Sequence, residues 1–325
     1  MLDITQNKSK QWARIGMRAT FGLLCSEIID NNKDIYIFTS DVSTSAGLDR
    51  FRKNNKDNFF DVGIAEQNLI GVAAGFSSEG FDVITTTFAP FQTIRCAEQI
   101  KVNLGYMKNK IVMVGLASGL VLGNLGFTHC CIEDLGMLRS IPNIKIVSPC
   151  DCVELAKALT ESIESKTSVY IRLTGGSPLE TINSHNYDFK IGKATIIKKN
   201  EKKNIKVVIF SNGVIAKEAL IASAILDKKK IDNEVVNMHT IKPIDKEIVE
   251  KYCKKSDLIV TVEEHNIIGG LGSAIAEVKS QIKSSPKHVL IGVNDTYCAS
   301  GSYENMLSKN KLLGSQIAKT IQENL

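Results

Sequence analysis

Short apolar strands alternate with helical segments along nearly the whole chain, and this alternation limits the folds that the chain can adopt. In the first half, apolar runs lie at 34–39, 83–87, 110–114, 144–147 and 169–173. Most of them lead through a polar or glycine-rich turn into residues with helical periodicity. Strands that alternate with helices form a mostly parallel sheet covered on both faces. The sequence therefore predicts an α/β fold.

The alternation stops at 174–178 and resumes near Lys206, which indicates two domains. The second unit has predicted strands at 207–210, 234–238, 258–263 and 288–293, with helices between them. We predict domains over 1–180 and 206–325, each a mostly parallel sheet with helices on both faces. The polar stretch over 181–205 is predicted to be a linker plus an edge hairpin around Ile191 to Ile197.

Composition excludes several classes of protein. The 325 residues are 43% hydrophobic and 23% charged, with a net charge of +5 spread along the chain and no arginine-rich segment, so nucleic-acid binding is not expected. The N-terminus lacks a signal-peptide pattern, and no apolar run approaches the ~18 residues of a membrane span, so we expect a cytoplasmic protein. The eight cysteines show no CxxC spacing, which favours free thiols over a metal site.

Candidate functional residues follow the predicted strands. Ligands of open parallel sheets bind outside the carboxyl ends of the strands, where the pattern places Asp41, Glu66, Phe88, Ala117 and Arg172. Glu66 stands where a helix begins beside apolar sequence, and a carboxyl group in such surroundings can exchange a proton near neutrality. An ordinary first-turn glutamate, favoured by the helix dipole, is an equally good interpretation of this feature alone.

Other motifs of known chemistry are not met. The glycines of 269–272 invite a dinucleotide-binding interpretation, but the GxGxxG spacing is absent and a tight turn or close helix contact explains them better. The sequence contains no GxxxxGK[ST], HExxH or GxSxG. His129 alone among the five histidines lies in a loop of catalytic character, over 123–129.

Several separated motifs together resemble one family, the transketolases. They are Asp41-Val42-Ser43-Thr44-Ser45, Val62-Gly63-Ile64-Ala65-Glu66-Gln67-Asn68, Thr87-Phe88-Ala89-Pro90-Phe91, Gly126-Phe127-Thr128-His129 and Tyr170-Ile171-Arg172. Segments 235–245 and 263–272 are similar to the C-terminal domain of that family. The resemblance covers nearly the whole chain and is to the pyrimidine-binding and C-terminal domains, as in the small subunit of split transketolases.

The resemblance implies thiamine diphosphate as cofactor. Glu66 matches the carboxyl group that protonates the aminopyrimidine ring, and Phe88 and Phe91 match aromatic residues that pack against it; the alternative for the two phenylalanines is an ordinary core pair on a helix. Ile94 stands where the family often has a third aromatic residue. Asp41 matches an acid near cofactor and substrate, although Ser40-Asp41 is equally typical of a helix cap.

Substrate contacts are implied in the same way. Arg18, Ser45 and Arg172 match positions that hold the phosphate at the far end of the sugar, and such groups suit a phosphate dianion. Without the resemblance, Arg18 would be interpreted as an exposed arginine on the first helix. His129 resembles a histidine that contacts substrate oxygens near the reacting carbon.

Two departures from the family pattern bear on the substrate. Leu125 replaces an expected acid, and Ala117 replaces a histidine found in many members. The loss of both polar groups predicts a less hydroxylated or differently shaped substrate.

The chain lacks the Gly-Asp-Gly and Asn motif through which the family binds diphosphate and Mg²⁺. The resemblance therefore implies a larger partner subunit that supplies this half of the site, in an α2β2 assembly in which the small subunits also associate with each other. Two rival interpretations stay open: a relative that decarboxylates a 2-oxo acid, such as a dehydrogenase β-subunit or deoxyxylulose phosphate synthase, and a non-catalytic assembly subunit.

Overall fold

The computed structural model describes residues 2–297 and 299–325. The first half of the chain contains α1 (Gln6–Asn31), β1 (Ile35–Thr39), α2 (Asp49–Asn54), β2 (Phe59–Asp61), α3 (Glu66–Ser78), β3 (Asp82–Phe88), α4 (Ala89–Gln92), α5 (Ala97–Gln99), β4 (Val112–Ser118), α6 (Asp134–Arg139), β5 (Ile144–Val147), α7 (Cys152–Glu164) and β6 (Ser168–Thr174). The second half contains β7 (Thr195–Lys198), β8 (Ile205–Ser211), α8 (Ala216–Lys228), β9 (Asn233–Asn237), β10 (Thr240–Lys242), α9 (Lys246–Lys255), β11 (Ser256–Asn266), α10 (Leu271–Lys279), β12 (Lys287–Val293), α11 (Tyr303–Lys309) and α12 (Gly314–Gln322).

Two mostly parallel sheets confirm the predicted α/β fold. The first has the strand order β10-β5-β6-β4-β3-β1-β2 and the second β12-β11-β8-β9-β7. Every residue of the neighbouring strands β4 and β6 is buried, as expected for parallel strands that have helices on both faces. The strands predicted from apolar runs therefore lie where the pattern placed them.

The boundary between the two domains is less simple than the sequence indicated. Strand β10 comes from the second half of the chain but pairs antiparallel with β5, so it completes the edge of the first sheet. The predicted edge hairpin around Ile191 to Ile197 is wrong. A single edge strand, β7, pairs antiparallel with β9 of the second sheet instead of with the strand that follows it.

The segment after β3 does not form one continuous helix. Phe88 ends β3 and α4 ends at Gln92; the next residue, Thr93, has a φ of −114° and a ψ of −79°, away from regular helical values. The hydroxyl of Thr93 donates to the carbonyl of Ala89 at 2.6 Å. A 3₁₀ turn, α5 and a π-helical segment over Ile100–Tyr106 follow. The path after β3 is therefore a series of short helical turns.

Helix α1 contains a break that matters for the site. Gly16 has a φ of +79°, and a Cβ atom there would lie 2.8 Å from Cβ of Ser177. The chain bends at this glycine, so Arg18 begins a new helical direction near the segment after β6. Within residues 2–297 and 299–325, no helix combines the length and apolarity that crossing a bilayer requires.

Candidate active site

The carboxyl ends of β1, β2 and β3 meet at one edge of the first sheet, since these strands are parallel neighbours. Ser40, just after β1, fixes the turn before α3: its hydroxyl donates to the carbonyl of Gly63 and accepts from the amide of Ala65 at 3.1 Å. Gly63 has a φ of +71°, a conformation that favours glycine. This turn places Glu66 in the first turn of α3.

Glu66 is buried, with 5% of its side chain exposed, and its carboxylate oxygen Oε1 accepts a hydrogen bond from Nη1 of Arg95 at 2.7 Å. The arginine comes from the broken helical segment after β3. A purely dipolar role would leave the side chain near the first amides of its own helix. Instead, the carboxylate is buried and paired with a cation from another element.

Two phenylalanines and a histidine form an aromatic cluster beside this pair. The ring centroids of Phe88 and Phe91 are 6.3 Å apart, and the ring of His129 lies 6.1 Å from Phe88 and 5.3 Å from Phe91, all edge-on. The guanidinium carbon of Arg95 lies 4.0 Å from the centre of the Phe91 ring. Glu66, Arg95, Phe91, Phe88 and His129 therefore form one continuous group. All three rings are half-buried, and Phe88 also packs against the core of the first domain.

His129 belongs to a loop that connects β4 to α6. Its Nδ1 lies 3.1 Å from the hydroxyl of Thr128, and its amide donates to the carbonyl of Gly126 at 3.1 Å. Leu125 is exposed on the same loop. Ala117, at the end of β4, is buried and has a φ of +52°, next to a register shift between β4 and β6. A strained non-glycine residue of this kind is common near functional sites.

Arg18 and Ser45 are brought together. They line one cleft of about 220 Å³ with the backbone of Gly175, Gly176 and Ser177. Arg18 is exposed and Ser45 half-buried, so both side chains are accessible to a ligand. The combination of a guanidinium, a hydroxyl and glycine backbone suits a small anion.

Arg172 does not reach this cleft. It is completely buried in β6, where Nε donates to both oxygens of Asp134, at 2.8 and 3.0 Å. Its Nη2 donates to the carbonyls of Cys131 and Glu264. Arg172 has no exposed surface in this structure, so phosphate binding by this residue stays a prediction. Gly175 lies at the cleft instead.

Asp41 and Ile94 lie on the outside of the site. Asp41 is exposed with a φ of +56°, and its amide donates to Oδ1 of Asp61 at 2.9 Å. No helix begins there among the described residues, since α2 starts at Asp49, so the helix-cap interpretation is wrong. Ile94 is 44% exposed and contributes an apolar surface beside Arg95.

Sequence reasoning missed Arg95, the partner of Glu66. Its signal was its position, four residues after Phe91, which places it one turn away in a helix. It also missed Asp134 and Glu264, the partners of Arg172, and no local pattern identifies them.

The close helix contact expected at the glycines of 269–272 is present. A Cβ atom on Gly269 would lie 2.8 Å from Cα of Gly136, so the two segments touch.

The donor set fits half of a thiamine diphosphate site. A buried carboxylate beside two aromatic rings, at the carboxyl ends of parallel strands, suits a protonated aromatic heterocycle. Among the described residues, no group of three or more His, Cys, Asp or Glu side chains could hold a metal ion. The residues of the site therefore fit the pyrimidine ring of the cofactor. The diphosphate and its metal ion need other residues.

The parallel sheet with Glu66 at the carboxyl ends of its strands, followed by a second α/β unit, defines the class of protein. It is a pyrimidine-binding domain joined to a transketolase C-terminal domain. Family models with these descriptions, "Transketolase, pyrimidine binding domain" and "Transketolase, C-terminal domain", match residues 13–177 and 192–317. The chain belongs to the transketolase family.

Some relatives match this chain over nearly all of both chains. A protein named as a transketolase C-terminal section from Methanocaldococcus jannaschii is 35% identical over 95% of this chain and 96% of its own. A 6-deoxy-6-sulfo-D-fructose transketolase subunit from a Clostridium species is 32% identical over 94% of both chains. Among solved structures, a split-gene transketolase described as an inactive β4 tetramer is 32% identical, with a TM-score of 0.84 over 95% of this chain and 98% of that one. These three are named as a transketolase section, a transketolase subunit and a split-gene transketolase.

Proposed function

We propose that this chain is the small subunit of a two-component, thiamine diphosphate-dependent transketolase that transfers a two-carbon ketol unit from a phosphorylated ketose donor to an aldehyde acceptor. The observation that carries the proposal is the buried Glu66 carboxylate beside the aromatic cluster of Phe88, Phe91 and His129. Similarity to transketolase subunits over the whole length supports it.

Each residue of the site has a role in this proposal. When bound, thiamine diphosphate supplies the carbon nucleophile that breaks the ketose. The carboxyl group of Glu66 holds a proton toward the pyrimidine ring, and Phe88 and Phe91 pack against that ring, with Ile94 and Asp41 at its edge. His129 donates to or accepts from substrate oxygens near the reacting carbon. Arg18 and Ser45 bind the anionic group at the far end of the sugar.

The second half of the site is assigned to a larger subunit that holds Mg²⁺ and the diphosphate. We propose an α2β2 assembly in which two copies of this chain also contact each other; the β4 tetramer described for a relative supports self-association of such subunits. A reducing, cytoplasmic setting is proposed with it, since the structure describes buried cysteines and, among the residues that it describes, no disulfide.

The test is co-expression with a neighbouring reading frame that carries the Gly-Asp-Gly and Asn motif, followed by assays of ketol transfer and of 2-oxo acid decarboxylation. Glu66→Gln removes the exchangeable proton and keeps the size of the side chain, so we expect about a hundredfold loss of turnover or more. Glu79→Gln is the matched control, because Glu79 is exposed at the other end of the same helix.

Three outcomes would contradict the proposal. Equal activity in Glu66→Gln and Glu79→Gln would exclude a catalytic role for Glu66, and failure to form a complex with the larger subunit would exclude the two-component assembly. Decarboxylation of a 2-oxo acid without ketol transfer would favour the rival chemistry, for which the exposed apolar Leu125 leaves room.

A further inference from the structure

The loop that carries His129 is attached at both ends to buried groups, at its start to Glu264 of the second domain and at its end to Arg172 of the first. We call residues 119–131 the His129 loop. Its stem is closed by two backbone hydrogen bonds, from the amide of Gly119 to the carbonyl of Cys131 at 2.8 Å and in the opposite direction at 2.9 Å. A loop with a closed stem can still move as a unit, so its orientation depends on what the stem contacts.

Glu264 of β11 holds the outgoing side of the stem. Its side chain is buried; Oε1 accepts from the amide of Leu120 at 2.6 Å, and Oε2 accepts from the hydroxyl of Tyr303 in α11 at 2.6 Å. A Cβ atom on Gly119 would collide with the Glu264 carboxylate, so only glycine allows this approach. A charged acceptor buried in this way binds its donors strongly.

Arg172 of β6 holds the returning side. Its Nη2 donates to the carbonyl of Cys131 at 3.1 Å and to the carbonyl of Glu264 at 2.9 Å, so one guanidinium joins the loop to β11. The Asp134 carboxylate fixes the guanidinium and also accepts from the hydroxyl of Tyr170 at 2.8 Å. A buried arginine with this set of partners has a defined orientation.

The tip of the loop also rests on the second domain. The amide of Gly301 donates to the carbonyl of Gly123 at 3.0 Å, and the rings of Phe127 and Tyr297 lie 5.3 Å apart. The ring contact is exposed, since Phe127 and Tyr297 are 58% and 62% exposed, whereas Gly123 is buried. The stem differs from the tip in that buried charged side chains bind its backbone.

We propose that Glu264 and Arg172 are positioning residues that hold the His129 loop on the second domain and so keep His129 against Phe88 and Phe91. The second domain thereby acts on the active site through this loop. The attachment of the His129 loop to the second domain does not depend on the proposed function. The effect of this attachment on turnover rests on the function proposed above.

Glu263 provides a matched control. It precedes Glu264 in β11, is equally buried and also accepts two backbone hydrogen bonds, from Leu271 at 2.6 Å and Gly272 at 2.8 Å. Both donors lie at the start of α10, within the second domain. Glu263→Leu and Glu264→Leu therefore remove comparable groups, but only the second removes a bond to the His129 loop.

Hydrogen–deuterium exchange of the full-length chain tests the proposal without any assay of activity. In Glu264→Leu, we expect exchange in 120–131 to become about tenfold faster or more, because a hydrogen bond to a charged group is lost. Glu263→Leu should leave that segment unchanged and accelerate exchange in 271–274. Glu264→Gln keeps an acceptor for Leu120 and should stay close to the wild type.

The complex with the larger subunit gives the second readout. We expect Glu264→Leu to lower kcat/KM about tenfold or more, and Glu263→Leu and Glu264→Gln to change it little. If Glu264→Leu does not fold, Arg172→Lys takes its place, since lysine keeps the charge but cannot bridge Cys131, Glu264 and Asp134. Unchanged exchange in 120–131 would overturn the proposal, whereas faster exchange in a complex that never transfers a ketol unit would sustain it and contradict only the proposed function.

Discussion

Nη1 of Arg95 donates to Oε1 of Glu66 at 2.7 Å while its guanidinium carbon lies 4.0 Å above the centre of the Phe91 ring. One cation thus contacts both the carboxylate and the aromatic cluster. Glu66 is 5% exposed and Arg95 is 43% exposed, so the pair has its carboxylate inside and its cation near solvent. Removal of the cation leaves a buried carboxylate without its partner, and that is costly.

Replacement of Arg95 by methionine should therefore destabilise the isolated chain. We expect Arg95→Met to lower the free energy of unfolding by about 2 kcal/mol, measured by urea denaturation. In the double variant with Glu66→Gln much of this loss should disappear, because no unpaired carboxylate remains. A coupling of zero in this double-mutant cycle would show that the ion pair contributes nothing to stability.

Phe91 and Ile94 differ in their surroundings, so we expect them to differ in what they contribute to cofactor binding. Phe91 packs between His129 and Arg95, whereas Ile94 is exposed at the edge. We expect Phe91→Ala to weaken binding of thiamine diphosphate to the assembled enzyme about tenfold or more, measured by calorimetric titration, because a ring face is lost. Ile94→Ala should weaken it less than about threefold, or about 0.7 kcal/mol. A larger effect at Ile94 would move the ring-binding surface toward the outer edge.

His265 is neutral in the folded chain for geometric reasons. It is completely buried; its Nδ1 lies 2.6 Å from the carbonyl of Asn266, and its Nε2 accepts from the amide of Gly136 at 3.3 Å. A second proton would have to replace that accepted bond. Burial lowers the pKa of His265 from 6.5 to about 4, although the nearby carboxylate of Asp134 opposes this shift.

The lowered pKa of His265 makes the stability of the folded chain depend on pH. Below pH 6.5 the unfolded chain binds a proton at this histidine that the folded chain does not, so stability is lost as the pH falls toward 4. The full contribution is about 3 kcal/mol, since each pKa unit corresponds to about 1.4 kcal/mol. We expect His265→Gln to show a shallower loss of stability between pH 6.5 and 4 in urea denaturation. The pKa of His288 is also lowered to about 4 by burial. Part of the loss of stability at acidic pH should therefore persist in His265→Gln. Parallel pH profiles of wild type and variant would contradict the assignment.

Local pattern was enough to predict the strands, because the apolar runs of buried parallel strands are contiguous in sequence. It was also enough, with the family resemblance, to choose Glu66, Phe88, Phe91 and His129, which the structure brings together. Their roles toward cofactor and substrate stay predictions. Each follows a strand or lies in a loop at the same sheet edge, and that edge is fixed by topology.

Features that depend on distant partners could not be predicted in this way. Strand β10 joins the first sheet through β5, although it lies in the second half of the chain. Arg172 lies near the carboxyl end of β6, but its side chain is held by Asp134, 38 residues earlier, and by Glu264, 92 residues later. No periodicity within β6 indicates that these two partners enclose the guanidinium.

The cleft at Arg18 and Ser45 gives a prediction about the far end of the substrate. If Arg18 binds a phosphate there, Arg18→Ala should raise KM about tenfold to a hundredfold for a phosphorylated ketose, since a charged hydrogen bond is lost. The same variant should leave KM for an unphosphorylated ketose nearly unchanged. Arg14→Ala is the control, because Arg14 is exposed one helical turn earlier, on the other side of the break at Gly16, and does not line the cleft. Equal effects on both donors would mean that the cleft does not bind the anionic group, and with Arg172 buried the site would then have to take its anion-binding residues from the larger subunit.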